Sequence, residues 1–146
     1  MASLVDTNIL VYCFDPDALA KRAAARDLLR RGAAEKVLRI PHQSLIEFVS
    51  VVTRKHSRRV ALLPLTEAAQ QAEGFMAEFP VLYPNDHVFR TALRGMAAYQ
   101  LSWFDAHLWA YAEHYGLPEI LSEDFEHGRM YGTVKIRNPF VGLGPP

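Results

Sequence analysis

Four carboxylates interrupt stretches of this chain that otherwise read as apolar. Asp6 follows Leu4-Val5 and precedes Ile9-Leu10-Val11. Glu47 is the only charged residue between Ser44 and Thr53, and Asp105 the only one between Leu101 and Ala112. Asp124 follows Ile120-Leu121-Ser122, with Glu123 beside it. A carboxylate is costly to bury unless it is hydrogen-bonded, paired or bound to a metal. Several in one pocket repel each other, and a cation relieves that repulsion. Oxygen-only donors favour Mg²⁺ or Mn²⁺ over zinc. Each acid also has an ordinary role open to it. Asp6 could cap the following turn, Asp105 could satisfy a helix dipole, Glu47 could face solvent, and Asp124 and Glu123 could be loop residues.

The elements that must carry these acids can be read from the pattern. Strands are expected at Ala2–Val5, Val37–Ile40, Val81–Tyr83, Glu119–Leu121 and Val134–Ile136. Helices are expected at Ile9–Phe14, 17–31, 42–56, 65–79, from Asn85 or Asp86 to about residue 100, and Phe104–Tyr115. Asp15-Pro16-Asp17 is placed to cap the second helix, Gly32 to end it, and Thr66 to open the fourth. The alternation of strand and helix predicts an α/β fold with a mainly parallel sheet. In such sheets ligands gather at the carboxyl ends of strands. Asp6 and Asp124 should both lie there, and Glu47 and Asp105 sit early in helices that can face the same edge.

Composition narrows the classes. The 146 residues suit one domain, expected over 1–140 with a loose tail at 141–146. Half the residues are hydrophobic and 22% are charged, which excludes a disordered chain. The longest uncharged apolar stretch, Gly95–Phe104, has ten residues, about half what a membrane span needs. The N-terminus has no basic region and Asp6 breaks its apolar run, so a cytoplasmic protein without a signal peptide is expected. A single cysteine, Cys13, allows no internal disulfide and no multi-thiolate zinc site. Sixteen basic and sixteen acidic side chains cancel, but nine of the basic ones lie in two groups: Lys21, Arg22, Arg26, Arg30 and Arg31, then Arg54, Lys55, Arg58 and Arg59. These are solvated helix faces or phosphate contacts.

The order and context of the acids resemble the PIN-domain ribonucleases. Leu4-Val5-Asp6-Thr7-Asn8-Ile9-Leu10 looks like that family's first motif, Glu47 like its lone helical acid, Ser102-Trp103-Phe104-Asp105-Ala106-His107-Leu108 like its third and Ile120-Leu121-Ser122-Glu123-Asp124 like its fourth. The small size is similar to the VapC toxins of toxin–antitoxin modules. The resemblance implies a three-layer α/β/α sandwich with a central, mainly parallel sheet of about five strands. It implies Mg²⁺- or Mn²⁺-dependent cleavage of RNA. Asp6, Glu47, Asp105 and Asp124 would be the catalytic, metal-holding acids, supported by Asn8, Ser122 and Thr7, with Glu123 a neighbour that could assist Asp124. An antitoxin whose Arg enters the acidic pocket, and a homodimer using apolar residues of 44–52 and 60–65, are the implied protein partners.

The chemistry of the residues agrees with that class. A carboxylate-held divalent ion lowers the pKa of water and screens a phosphate. Cys13 lies in an apolar run with no base nearby, and the six histidines show no paired signature. His107, two residues after Asp105, points about 200° away on a helix and reads as a structural or rim residue. Tyr12, Trp103 and Phe104 adjoin the motifs and could stack a base, although Phe104 reads better as core. Arg129 is a further possible contact. A phosphatase or dehalogenase with Asp6 as nucleophile would want a second Asp where Asn8 stands. A response regulator would want adjacent acids after the first strand. A non-catalytic PIN-like module that binds RNA or protein is the alternative that keeps the fold.

Overall fold

The computed structural model describes residues 1–55 and 60–143. In chain order the elements are β1 (Ser3–Val5), α1 (Thr7–Tyr12), α2 (Leu19–Glu35), β2 (Leu38–Pro41), α3 (His42–Val52), α4 (Leu65–Glu78) and β3 (Val81–Leu82). There follow α5 (Asp86–Tyr99), α6 (Trp103–His114), β4 (Glu119–Leu121), β5 (Met130–Tyr131) and β6 (Val134–Arg137). The sheet order is β3-β2-β1-β4-β6-β5. Every pairing is parallel except the β5–β6 hairpin.

Side chains alternate across a strand, and β1 shows what that does here. Val5 faces a core built with Leu10, Leu28, Phe48 and Phe75 from α1 to α4. Leu4 faces the opposite core, built with Val88, Leu108, Trp109 and Ile136. Both are fully buried, each contributing about 1.5–3 kcal/mol of hydrophobic stabilisation. Ile120 and Leu121 of β4 divide in the same way. The three-layer α/β/α sandwich follows, with β1 and β4 in the middle of the sheet. Among the described residues no helix is long and apolar enough to cross a membrane.

Several boundaries differ from the sequence expectation. The sheet has six strands rather than about five, because Met130–Tyr131 folds back on β6. Two residues are too few to show an alternating pattern. Gly32 does not end α2. A Cβ there would fall 2.2 Å from Leu38 Cδ1, so this glycine lets α2 lie against β2. The helix ends at Lys36, which takes the left-handed conformation with its N–H on the Gly32 carbonyl. Ala18 rather than an aspartate precedes α2, and Pro64 rather than Thr66 flanks the start of α4. The expected helix 42–56 stops at Val52; residue 56, Arg58 and Arg59 lie outside the described residues. Phe104 is not core: it is 66% exposed.

Candidate active site

Sheet register builds one half of the site. Val5 and Leu121 are paired across parallel β1 and β4. The next residue on each strand, Asp6 and Ser122, therefore emerges at the carboxyl edge side by side. The Asp6 N–H donates to the Leu121 carbonyl at 3.0 Å. Ser122 Oγ donates to Asp6 Oδ2 at 2.5 Å, and the Thr7 N–H donates to Asp6 Oδ1 at 2.6 Å. Asp6 thus does cap α1, and its second oxygen faces the site. Asn8 Nδ2 stands 3.3 Å from Asp6 Oδ2, 3.4 Å from Ser122 Oγ and 3.1 Å from Asp124 Oδ2. One amide group ties the first motif to the fourth. The Asp124 N–H donates to Ser122 Oγ at 3.0 Å, fixing the turn that carries the second carboxylate.

Helices supply the other half. Ser44 Oγ donates to the Val5 carbonyl at 3.0 Å, pinning the first turn of α3 to the end of β1. Glu47 lies three residues on, the same face of a helix. Thr7 Oγ1 donates to its Oε2 at 3.2 Å and Gln43 Nε2 to its Oε1 at 2.7 Å. Gln43 Nε2 also donates to the Phe104 carbonyl at 3.1 Å, so it joins α3 to α6. At the start of α6, Ser102 Oγ accepts the Asp105 N–H at 3.2 Å. Asp105 then occupies the first turn, where the helix dipole favours an anion.

Asp6, Glu47, Asp105 and Asp124 line one pocket of about 300 Å³, with Thr7, Asn8, Tyr12, Gln43, Phe104 and Glu123. Burial pushes the Asp6 carboxyl up to about 7, helped by the charges of Asp124 and Asp105 and opposed by the Ser122 and Thr7 hydrogen bonds. Burial also raises Asp105, with Asp124 and Glu47 adding to it. The pocket therefore holds more negative charge than it can stabilise alone. Its donors are oxygens. Asn8 Oδ1 is, among the described residues, the one buried side-chain polar atom without a hydrogen-bond partner, and it belongs to the amide whose nitrogen reaches Asp6 and Asp124. No group of three or more His, Cys, Asp or Glu among the described residues forms a ready cage. Mg²⁺ needs none, since it keeps several waters and is bound by one or two carboxylates together with phosphate oxygens. The residues fit that kind of ion.

Glu123 and Asp124 are adjacent and differently used. Glu123 accepts from Tyr12 Oη and pairs with Lys21 Nζ at 2.9 Å. Lys21 lies 4.9 Å from the centre of the Tyr12 ring. The Glu123 charge is thus met by a cation, while Asp124 is met by Asn8. The first basic group is largely engaged within the protein: Arg30 and Arg31 pair with Asp27, and Arg26 donates to the Cys13 carbonyl. His107 packs on Trp103 and donates its Nδ1–H to the Trp103 carbonyl, 3.0 Å away. The Cys13 thiol is buried and pushed up to about 12, which leaves it unsuited to nucleophilic work. Gln43 and Ser44 were not singled out in the sequence. The spacing of Gln43 four residues before Glu47 is the signal that could have found the former.

Comparison with known proteins agrees with the fold. The family model for the PIN domain matches residues 3–132. No curated protein matches the chain in sequence. Among solved structures, a toxin–antitoxin complex from Klebsiella pneumoniae is similar with a TM-score of 0.67 at 17% identity, covering 94% of this chain and 98% of that one. VapC20 of Mycobacterium tuberculosis, a toxin that cleaves the sarcin–ricin loop, gives 0.62 at 17% identity, covering 84% and 90%. VapBC2 of Rickettsia felis, solved bound to a DNA fragment from its promoter, gives 0.69 at 13% identity, covering 94% and 98%.

Proposed function

The chain belongs to the PIN domain family, and on that footing we propose that it is a Mg²⁺- or Mn²⁺-dependent endoribonuclease, the toxin of a VapBC-type pair. The observation that carries the reading is the convergence of Asp6, Glu47, Asp105 and Asp124 on one pocket, where burial, with a smaller push from Asp124 and Asp105, raises the Asp6 carboxyl to about 7. A divalent ion bound there would neutralise the phosphate and lower the pKa of the attacking water. The protein's part is positional. Ser122 and Asn8 hold Asp6 and Asp124 at a fixed separation, and Gln43 and Thr7 hold Glu47. In this reading the ion would be held by one or two of Asp6, Glu47, Asp105 and Asp124 directly and by the others through its bound waters.

Partners follow from the same reading. An antitoxin is the partner named for the Klebsiella and Rickettsia relatives, and an Arg from such a protein would satisfy the acidic pocket by charge-assisted hydrogen bonds. Ile46, Val60 and Leu65, exposed at 59%, 82% and 68%, support a homodimer surface. The alternative, a non-catalytic binding module, is separated by one assay. Purified protein free of antitoxin is incubated with total RNA in Mg²⁺, in Mn²⁺ and in chelator, beside Asp6→Asn and Asp105→Asn. Discrete metal-dependent cuts absent from both variants are expected. Cuts that persist in chelator and in both variants would remove the proposal, and folded protein that cuts nothing in either metal would favour the binding module.

A further inference from the structure

Phe104 is 66% exposed immediately before Asp105. One exposed aromatic is ordinary by itself; what sets this one apart is the groove it borders. Here it forms one wall of a second groove, about 340 Å³, whose lining includes His42, Ile46, Trp103, His107 and Tyr111. Gln43, Glu47 and Phe104 line both this groove and the carboxylate pocket. The two adjoin across these residues, so an RNA chain whose phosphate sits at the acids has the aromatic wall within reach of a neighbouring base.

The lining decides what can enter. It contains no Lys or Arg, and Glu47 stands at the junction. A phosphate placed in the groove would meet repulsion and no counter-charge. A flat uncharged group would meet aromatic faces, and the imidazoles of His42 and His107 supply polar edges. His107 is already braced by Trp103 at 4.1 Å between ring centres, and His42 by Tyr83 at 5.1 Å. Filling the groove therefore needs no reordering of those two rings. Single-stranded RNA is read by unstacking bases onto aromatic and histidine rings. Resting on the nuclease reading above, we propose that this groove is the subsite for one unstacked nucleobase flanking the scissile phosphate, with Phe104 as its stacking wall.

The test uses the full chain, freed of antitoxin, and an RNA oligonucleotide spanning a cut mapped in total RNA. 2-Aminopurine replaces the base on either side of the cut, one position at a time. Binding is read in chelator, so that no cleavage occurs, and cleavage is read in Mn²⁺. Wild-type protein should quench one of the two positions. Phe104→Ala should lose the quench and about 5- to 150-fold in kcat/KM, the range spanned by base–aromatic stacking, while the Mn²⁺ midpoint stays the same. Phe104→Trp should restore both. The side chain is exposed, so neither variant should change the melting temperature. Equal cleavage by wild type and Phe104→Ala would overturn the subsite and leave the nuclease standing. Loss of a dimer in Phe104→Ala, with no change in quench, would assign the groove to a second copy instead. Absence of any metal-dependent cut by wild type would remove the nuclease reading, and this inference with it.

Discussion

The strand-end half of the acidic pocket and its helical half are built on different principles. Asp6 is 6% exposed and Ser122 fully buried; both are placed by the pairing of Val5 with Leu121 and by a main-chain hydrogen bond. Moving either means breaking the centre of the sheet. Glu47 and Asp105 stand on separate helices, and the Gln43 side chain bridges them by reaching both Glu47 and the carbonyl of Phe104, the residue before Asp105. Phe104, the neighbour of Asp105, is in solvent. The strand half is thus the rigidly placed part, and under the proposed function it is the part that would cradle the ion. The helical half is where a substrate can enter and where small adjustments are cheap. Variants in the first should act on metal affinity, and variants in the second on the handling of RNA.

Asp6→Asn should have the largest effect. Removing a buried ligand should cost more than the roughly 10–100-fold typical of residues that merely support ligands, read as cleavage rate and as Mn²⁺ binding by calorimetry. The same variant carries a pH signature. The folded protein without metal holds the Asp6 proton up to about pH 7, whereas an aspartate in water loses it near 3.8. Between those values the native state binds the extra proton, so stability should fall as pH rises through that window. Metal reverses the preference, since it binds the ionised form. Mn²⁺ affinity should therefore strengthen as pH rises toward about 7, with close to one proton released. In Asp6→Asn the metal-free melting temperature should lose this slope. A wild-type melting temperature that is flat from pH 4 to 7 in chelator would show that Asp6 is ionised throughout and that the cradle is looser than described.

Asn8→Ala comes next. Its amide nitrogen reaches Asp6, Ser122 and Asp124, so its loss frees the fourth motif from the first. Mn²⁺ affinity should weaken about 10–100-fold, with kcat at saturating metal much less affected. If kcat falls and the metal midpoint does not, Asn8 touches the reacting groups and the division between the two halves fails.

Much of this site could be read from residue order. Asp6, Glu47, Asp105 and Asp124 stand out because an acid in an apolar run is costly to leave there, and the strand ends that carry Asp6 and Asp124 are bounded by polar turns. What was hidden depends on pairing between distant segments. That Asp6 meets Ser122 follows from register, which two three-residue strands do not announce. The β5 strand is two residues long. The end of α2 was misread at Gly32 because a glycine needed for close packing against Leu38 looks the same in sequence as one needed for a turn. Phe104 was misread as core because an apolar residue in an apolar run carries no sign of which way it faces.

Gln43→Ala tests the helical half. It removes the only described side-chain link between Glu47 and the Phe104 carbonyl. The glutamate keeps its Thr7 hydrogen bond, so the loss should be about 10-fold in kcat/KM, near the low end of the roughly 1.5–3 kcal/mol of a hydrogen bond to a charged group. It should appear mainly in KM for RNA, with the metal midpoint within about twofold of wild type. A large shift of that midpoint would place Glu47 among the tight ligands and make the helical half part of the cradle.

Glu123→Gln should have the smallest effect, and it sharpens the comparison because its neighbour should behave so differently. Glu123 and Lys21 are partly exposed, at 22% and 26% of their side-chain surface, and such pairs contribute about 1 kcal/mol or less. The glutamine can still accept from Tyr12, so the turn should stay in place. Lys21, held above its ordinary pKa chiefly by the Glu123 hydrogen bond, would be released toward its usual range without consequence for the acids. The expected result is a melting temperature lower by a few degrees and an unchanged Mn²⁺ midpoint, whereas Asp124→Asn should shift that midpoint strongly. If both variants shift it alike, Lys21 does not screen Glu123, and the fourth motif offers the ion two carboxylates rather than one.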